Sequence, residues 1–220
     1  DFLLKYMYKY VKIDRLKINK RKSSYDIQEN LIETTSNKDN LKKDSQISHK
    51  FDYPEKFIFF HYKQNFFKNL LNWNLNNVSS LLEFFNNNYE NVLFSSELNN
   101  ENSNNFFLAK YNTFDFTNNK KYLINKKKIF FLKDIDGYDL FDAVNKSSKI
   151  ISPEGIITHM GYFLKKPSLA LMHFNLRNRR DFINQVISCK ELFPPDNYDY
   201  TVLKKDFGKS LQKLSRRLKF

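Results

Sequence analysis

Residues 129–174, IFFLKDIDGYDLFDAVNKSSKIISPEGIITHMGYFLKKPSLALMHF, decide the fold. Residues 129–132 are a short apolar run, suited to a strand buried on both faces. Over residues 139–146, Leu140, Phe141 and Val144 recur at helical spacing. Residues 149–152 are a second apolar strand, closed by the turn-forming Ser152-Pro153-Glu154-Gly155. A helix over residues 156–165 stops ahead of Pro167, because a proline pushes the preceding residue out of the helical region. Residues 168–172 make a third buried strand. Short strands alternating with helices imply α/β architecture: a Rossmann-like parallel sheet with right-handed crossovers and flanking helices.

In such sheets the ligand sits at the carboxyl ends of the strands. Glu154 and Gly155 fall at one of those ends and at a helix start, where unpaired N–H groups favour an anion such as a phosphate. Gly155 lets backbone approach closely. His159, one turn into the helix, is placed to face the same ligand. Glu154 accepts hydrogen bonds only, so it suits sugar or ribose hydroxyls better than phosphate. The local pattern is equally compatible with a plain turn and a partly buried histidine.

Working upstream, residues 56–61 (KFIFFH) form the first strand of the domain, followed by Tyr62, Lys63 and Gln64. Residues 76–85 read as a helix, with Val78, Leu81, Leu82 and Phe85 on one face. Residues 91–94 (NVLF) form a strand that ends in Ser95-Ser96-Glu97. The Asn-rich residues 98–128 hold one short helix around residues 106–111, and Lys126-Lys127-Lys128 reads as a solvated turn.

The run SKIISPEGIITHMGYFLKKPSLAL resembles the carboxy-terminal signature of the heptosyltransferase-like GT-B glycosyltransferases (glycosyltransferase family 9-like). That family has a strand, an acidic residue, small residues including glycine, a histidine on a helix, and a lysine-proline turn into the next strand. Glu154 matches the acidic residue, His159 the histidine, and Lys166-Pro167 the turn. Where the family has aspartate, a hydroxyl residue and glycine, this chain has Glu154, Gly155 and Ile156, so only Ser152 or Thr158 can supply the hydroxyl. The resemblance spans residues 56–174 and is sharp over 149–171. It implies one half of a GT-B fold, binding a nucleotide-sugar donor through Glu154, Gly155, Ile156, Thr158 and His159. It also implies Lys63 on the donor phosphates with His61 beside it, and Glu97 toward the nucleoside. The resemblance implies that no metal or cofactor is required. The general base would come from the other domain, so no catalytic residue is assigned.

Residues 1–50 read as a connector or disordered leader, and 51–220 as the nucleotide-sugar-binding domain. Within the leader, residues 1–22 are aromatic and basic, with a possible helix face at Phe2, Leu3, Met7 and Val11. Residues 23–50 are polar and aperiodic. If the resemblance holds, this connector follows an amino-terminal acceptor domain. A chain without that domain is expected to bind donor poorly and turn over little.

Downstream, residues 175–180 are a basic loop, 181–189 a helix, and 193–196 a turn. Residues 201–220 read as a basic amphipathic helix bearing Leu211, Leu214 and Leu218, placed to pack on the sheet or to lie on a membrane.

The 220 residues carry a net charge of +13 and 23 phenylalanines. The charge suits a phosphorylated ligand, an anionic membrane surface or nucleic acid. The lysines are scattered and the aromatics sit in buried-looking strands, which argues against nucleic acid as the partner. The sole cysteine, Cys189, excludes an internal disulfide and a cysteine-based metal site. No run reaches the roughly 18 apolar residues of a membrane span.

The expected activity is sugar transfer from a nucleotide donor to a cell-surface glycan or lipid-linked acceptor. The expected location is cytoplasmic or peripheral on the cytoplasmic membrane face. The alternative is a non-catalytic α/β module that binds a nucleotide or a partner.

Overall fold

The computed structural model describes residues 51–89, 91–97, 101–174 and 197–218. The expectations for residues 1–50, 175–180, 181–189 and 193–196 lie outside the described residues.

The element order is β1 (Ile58–Tyr62), a π-helical turn (Asn65–Leu70), α1 (Leu75–Asn88), β2 (Val92–Ser96) and α2 (Glu101–Lys110), then β3 (Asn112–Asp115) and β4 (Lys120–Tyr122). There follow β5 (Ile129–Lys133), α3 (Gly137–Lys146), β6 (Lys149–Pro153), α4 (Ile156–Phe163), β7 (Ser168–His173), β8 (Tyr198–Leu203) and α5 (Phe207–Leu218). The eight strands form one sheet in the order β4-β3-β5-β2-β1-β6-β7-β8. Every pairing is parallel except β3 with β4. The Rossmann-like expectation holds, and the chain reverses direction across the sheet between β1 and β6.

The central strands are buried on both faces, which is why they read as unbroken apolar runs. Ile58 and Phe60 of β1, Val92 and Phe94 of β2, and Ile129 and Phe131 of β5 join one core with Val78, Leu81, Leu82 and Phe85 of α1. Leu214 and Leu218 of α5 belong to the same core, with Leu211 packed against it. The apolar face of α5 thus packs on the domain. No helix among the described residues is long and apolar enough to cross a membrane. On the opposite face α4 lies close to β6 and β7. A Cβ at Gly161 would run into Ser168 Oγ and come within 2.8 Å of Ile150 Cδ1, so glycine sets this helix-to-sheet distance.

Helix boundaries follow local chemistry. At α1, Asn74 Oδ1 accepts from Asn77 N (3.0 Å), and Asn74 N donates to Asn77 Oδ1 (3.1 Å), a reciprocal capping box. At α3, Asp136 accepts from the Tyr138 and Asp139 amides. After α4, Lys165 takes the left-handed conformation (φ 55°), Lys166 N donates to Gly161 O (2.8 Å), and Pro167 prevents further helix.

Two expectations need correction. Residues 201–203 are strand rather than helix, the end of the edge strand β8. The Asn-rich region holds a ten-residue helix and the β3–β4 hairpin rather than one short helix. Asparagine side chains stitch this excursion to the sheet. Asn112 Oδ1 accepts from the Ile124 and Asn125 amides, Asn112 Nδ2 donates to Lys127 O, and Asn125 Nδ2 donates to Lys110 O.

Candidate functional site

The reversal between β1 and β6 is a topological switch point, the place where open α/β sheets take ligands. β1 delivers Lys63 to this edge, and β6 delivers Glu154 and Gly155. Lys63 and Gly155 are ninety-two residues apart in sequence, yet a Cβ on Gly155 would stand 3.8 Å from Lys63 Nζ. Lys63 makes no ion pair or side-chain hydrogen bond among the described residues. An ammonium group therefore overhangs the turn that starts α4.

Gly155 is required there by its backbone, since φ is +149°, a conformation essentially confined to glycine. The turn uses part of its own hydrogen-bonding capacity. Glu154 N donates to Leu171 O (3.1 Å), and Gly155 N donates to Thr158 Oγ1 (3.1 Å). Thr158 Oγ1 donates back to Gly155 O (2.6 Å). The Gly155 amide, expected to face an anion, is thus engaged within the turn. Thr158 is buried and serves as the cap of α4. Ser152, the other candidate hydroxyl, is buried and donates to Pro153 O. The amides of Ile156 and Ile157 lie in the first turn, where no helical carbonyl can reach them. Ile156 itself is exposed (48%), leaving the rim open.

His159 does face the turn. Its Nε2 lies 3.3 Å from Glu154 Oε1, and the two side chains are 27% and 18% exposed. His61 sits on the edge behind Lys63. Its Nδ1 is 2.9 Å from Ser95 Oγ, its register partner on β2. Burial, aided by the neighbouring Lys63 charge, pushes the His61 imidazole down to about 4, so it is neutral at physiological pH. Glu97, at the end of β2, accepts from the Gln64 amide at 2.9 Å. It braces the loop that carries Lys63. Lys63, Gly155, Glu154 and His159 therefore converge, with Ile156 at the rim. His61, Glu97 and Thr158 stand behind them as supports.

Sequence reasoning missed Ser95, although the aligned endings of IFFH and VLFS carried that signal. It also missed an ion pair further along the edge. Lys133 Nζ lies 2.9 Å from Asp115 Oδ2 and 3.4 Å from Asp134 Oδ2. Burial pushes the Asp115 carboxyl up. Hydrogen bonds from Lys133 and Asn118, with the Lys133 charge, outweigh that and hold it down at about 2.

Neither a family model nor a curated protein matches the sequence. Solved structures do match the fold. The UDP-GlcNAc 2-epimerase of Methanocaldococcus jannaschii aligns with a TM-score of 0.51 at 11% identity, over 86% of this chain and 47% of that one. The fold is that of one GT-B half. Also similar are the ADP-heptose LPS heptosyltransferase II of E. coli (TM-score 0.47, 11% identity, 76% of this chain and 48% of that one) and the Neisseria meningitidis UDP-GlcNAc 2-epimerase bound to UDP-GlcNAc (0.41, 13%, 86% and 51%). The chain spans about half the length of each of these structures.

Proposed function

We propose that this chain is the donor-binding half of a glycosyltransferase, transferring a hexosyl or heptosyl group from a nucleotide-sugar to a glycan or lipid-linked acceptor. The observation that carries the reading is the Lys63 ammonium held over the glycine turn at the switch point, with no ion-pair partner among the described residues. The Ile156 and Ile157 amides and the Lys63 charge together suit a diphosphate. Stabilising a departing diphosphate is mainly an electrostatic task, which these groups perform without a metal. Glu154 is placed to accept from sugar hydroxyls, and His159 fixes its carboxylate. The base that activates the acceptor belongs to the other half of the enzyme. Proximity to an anionic membrane surface fits the +13 net charge.

A thermal-shift series on the purified chain tests this reading, using nucleoside diphosphates, UDP-GlcNAc and ADP-heptose. A ligand that binds only the native state stabilises it by about 2.7 kcal/mol at a hundred times its Kd. The expected result is a rise in Tm with one diphosphate, lost in Lys63→Ala and reduced in Glu154→Ala and His159→Ala. No rise with any nucleotide, in this chain and in a longer one extended upstream, would overturn it. The second reading is a non-catalytic nucleotide-binding module. It draws on Ser152 and Thr158, whose hydroxyls are engaged within the turn. It predicts nucleotide binding without sugar transfer when the full-length protein is supplied with donor and acceptor.

A further inference from the structure

A second cleft, of about 1180 Å³, opens on the same edge, between the loop that leads from β1 into α1 and the first turn of α2. Neither Lys63 nor any residue of the Glu154–His159 turn lines it. Adjacent residues thus serve two places: Lys63 overhangs the glycine turn, and Gln64 lines the cleft.

The polar lining of this cleft is amide rather than charge. The side chains of Gln64, Asn72, Asn76 and Asn102 all line it and have no hydrogen-bond partner among the described residues. Its two charged residues, Lys68 and Glu101, are of opposite sign. Both α1 and α2 begin at the cleft, and a helix start ordinarily attracts anions. Here the start of α1 is closed by the Asn74–Asn77 capping box, and α2 carries Glu101 in its first turn. The lining itself thus carries no net charge to attract a phosphate or a nucleic acid. The apolar part of the lining includes Tyr62, Trp73 and Phe106; the first two are 2% exposed, so the half-buried Phe106 is the aromatic side chain with open surface.

A carboxamide both donates and accepts, as a sugar hydroxyl does, whereas a lysine only donates and a carboxylate only accepts. The Phe106 ring suits the C–H face of one sugar. The volume exceeds the roughly 300–1,000 Å³ of ordinary small-molecule sites, leaving room for more than one monosaccharide. We infer that this cleft binds a neutral oligosaccharide. On the transferase reading it holds a distal part of the acceptor glycan, whose reacting end is carried by the other half of the enzyme. That assignment rests on the proposed function, whereas saccharide binding does not.

Trp73 is the only tryptophan in the chain, so its emission reports on the cleft. The experiment titrates the full chain with maltotriose, cellotriose and chitotriose at low and high salt, with inorganic phosphate as the anionic probe. Saturation-transfer NMR on the same sugars detects binding that leaves the emission unchanged. The expected result is saturable binding of at least one trisaccharide, insensitive to salt. It weakens about tenfold in the Asn76→Ala/Asn102→Ala double variant, the scale of one or two lost hydrogen bonds, and persists in Lys63→Ala. Asn72→Gly is a second variant that keeps the fold, because φ there is 58° and glycine accepts it freely. It too should weaken binding. Three outcomes overturn the inference: no saturable binding of any trisaccharide by either readout, equal binding in the cleft variants, or a response to phosphate alone that high salt removes. Trisaccharide binding with no nucleotide response, in this chain and in one extended upstream, would instead defeat the transferase reading and leave the cleft standing.

Discussion

Lys133 and Lys63 both stand at the carboxyl edge of the sheet, and their surroundings differ. Lys133, the last residue of β5, is held by Asp115 at 2.9 Å and Asp134 at 3.4 Å. Asp115 in turn accepts from the backbone and side-chain nitrogens of Asn118. Lys63 follows β1 and is partly buried, with no carboxylate against it among the described residues. The first charge is neutralised within the fold and holds the β3–β5 edge together. The second is left open where the strand order reverses. Paired charge on this edge maintains architecture, and unpaired charge is available to a ligand.

The largest expected effect breaks the paired side of that contrast. Lys133→Met leaves the Asp115 carboxylate, 3% exposed, without its counter-charge. Removing one partner of a buried pair costs about 3–5 kcal/mol. Partial exposure of Lys133 places the loss toward the lower end, measured by urea denaturation. A smaller loss, about 1–3 kcal/mol, is expected for Gly155→Ala, which forces a Cβ into the φ +149° conformation. The cost comes from backbone strain, since the nearest side-chain atom leaves ordinary contact distance.

Acid titration of stability sharpens the contrast further. His61 has a folded pKa of about 4 against an ordinary 6.5, so the unfolded chain binds its proton first. Stability therefore falls as pH drops below about 6.5, and this loss levels off near 4. Asp115 has a folded pKa of about 2 against 3.8. Its contribution is present above 3.8 and is lost as pH falls toward 2. His61→Gln should shrink the upper limb, to which His173, also held down by burial, contributes as well, and Lys133→Met should shrink the lower one. The urea midpoint followed against pH reads both. The smallest effect on stability is expected for Lys63→Met, within about 0.5 kcal/mol. That same variant should abolish the nucleotide-induced rise in Tm. A Lys63→Met loss as large as that of Lys133→Met would erase the distinction between the two lysines.

The parts of the fold legible in the sequence are those where the local signal and the tertiary role coincide. IFF, VLF and LALM are continuous apolar runs because both of their faces are buried. By contrast, β3 is Asn-Thr-Phe-Asp and β8 is YDYTVL, edge or near-edge strands with mixed residues that mimic loop or helix. The Leu211-Leu214-Leu218 spacing was strong enough to draw residues 201–203 into the helix that follows. For the site, the family resemblance assigned Lys63 and Gly155 to one ligand without any contact information, and the two lie close together. The Asp115–Lys133 pair stayed hidden because β5 inserts between β2 and β3, an arrangement no local pattern records. The internal use of the Thr158 hydroxyl was equally hidden, since a threonine three residues after a glycine reads the same whether it meets a ligand or its own backbone.

The position of β1 at the middle of the sheet has a consequence for how the protein is made. Its partner β2 emerges soon after it, but Ile58 pairs on the other side with Lys149, ninety-one residues later. At translation rates of about 5–20 residues per second, β1 waits roughly 5–18 s for that neighbour. Throughout this interval a strand that carries Ile58, Phe59 and Phe60 is an open edge, able to recruit a strand from another chain. The ribosome-bound domain is therefore most vulnerable to aggregation between the synthesis of β2 and of β6, and chaperone occupancy should peak in that window.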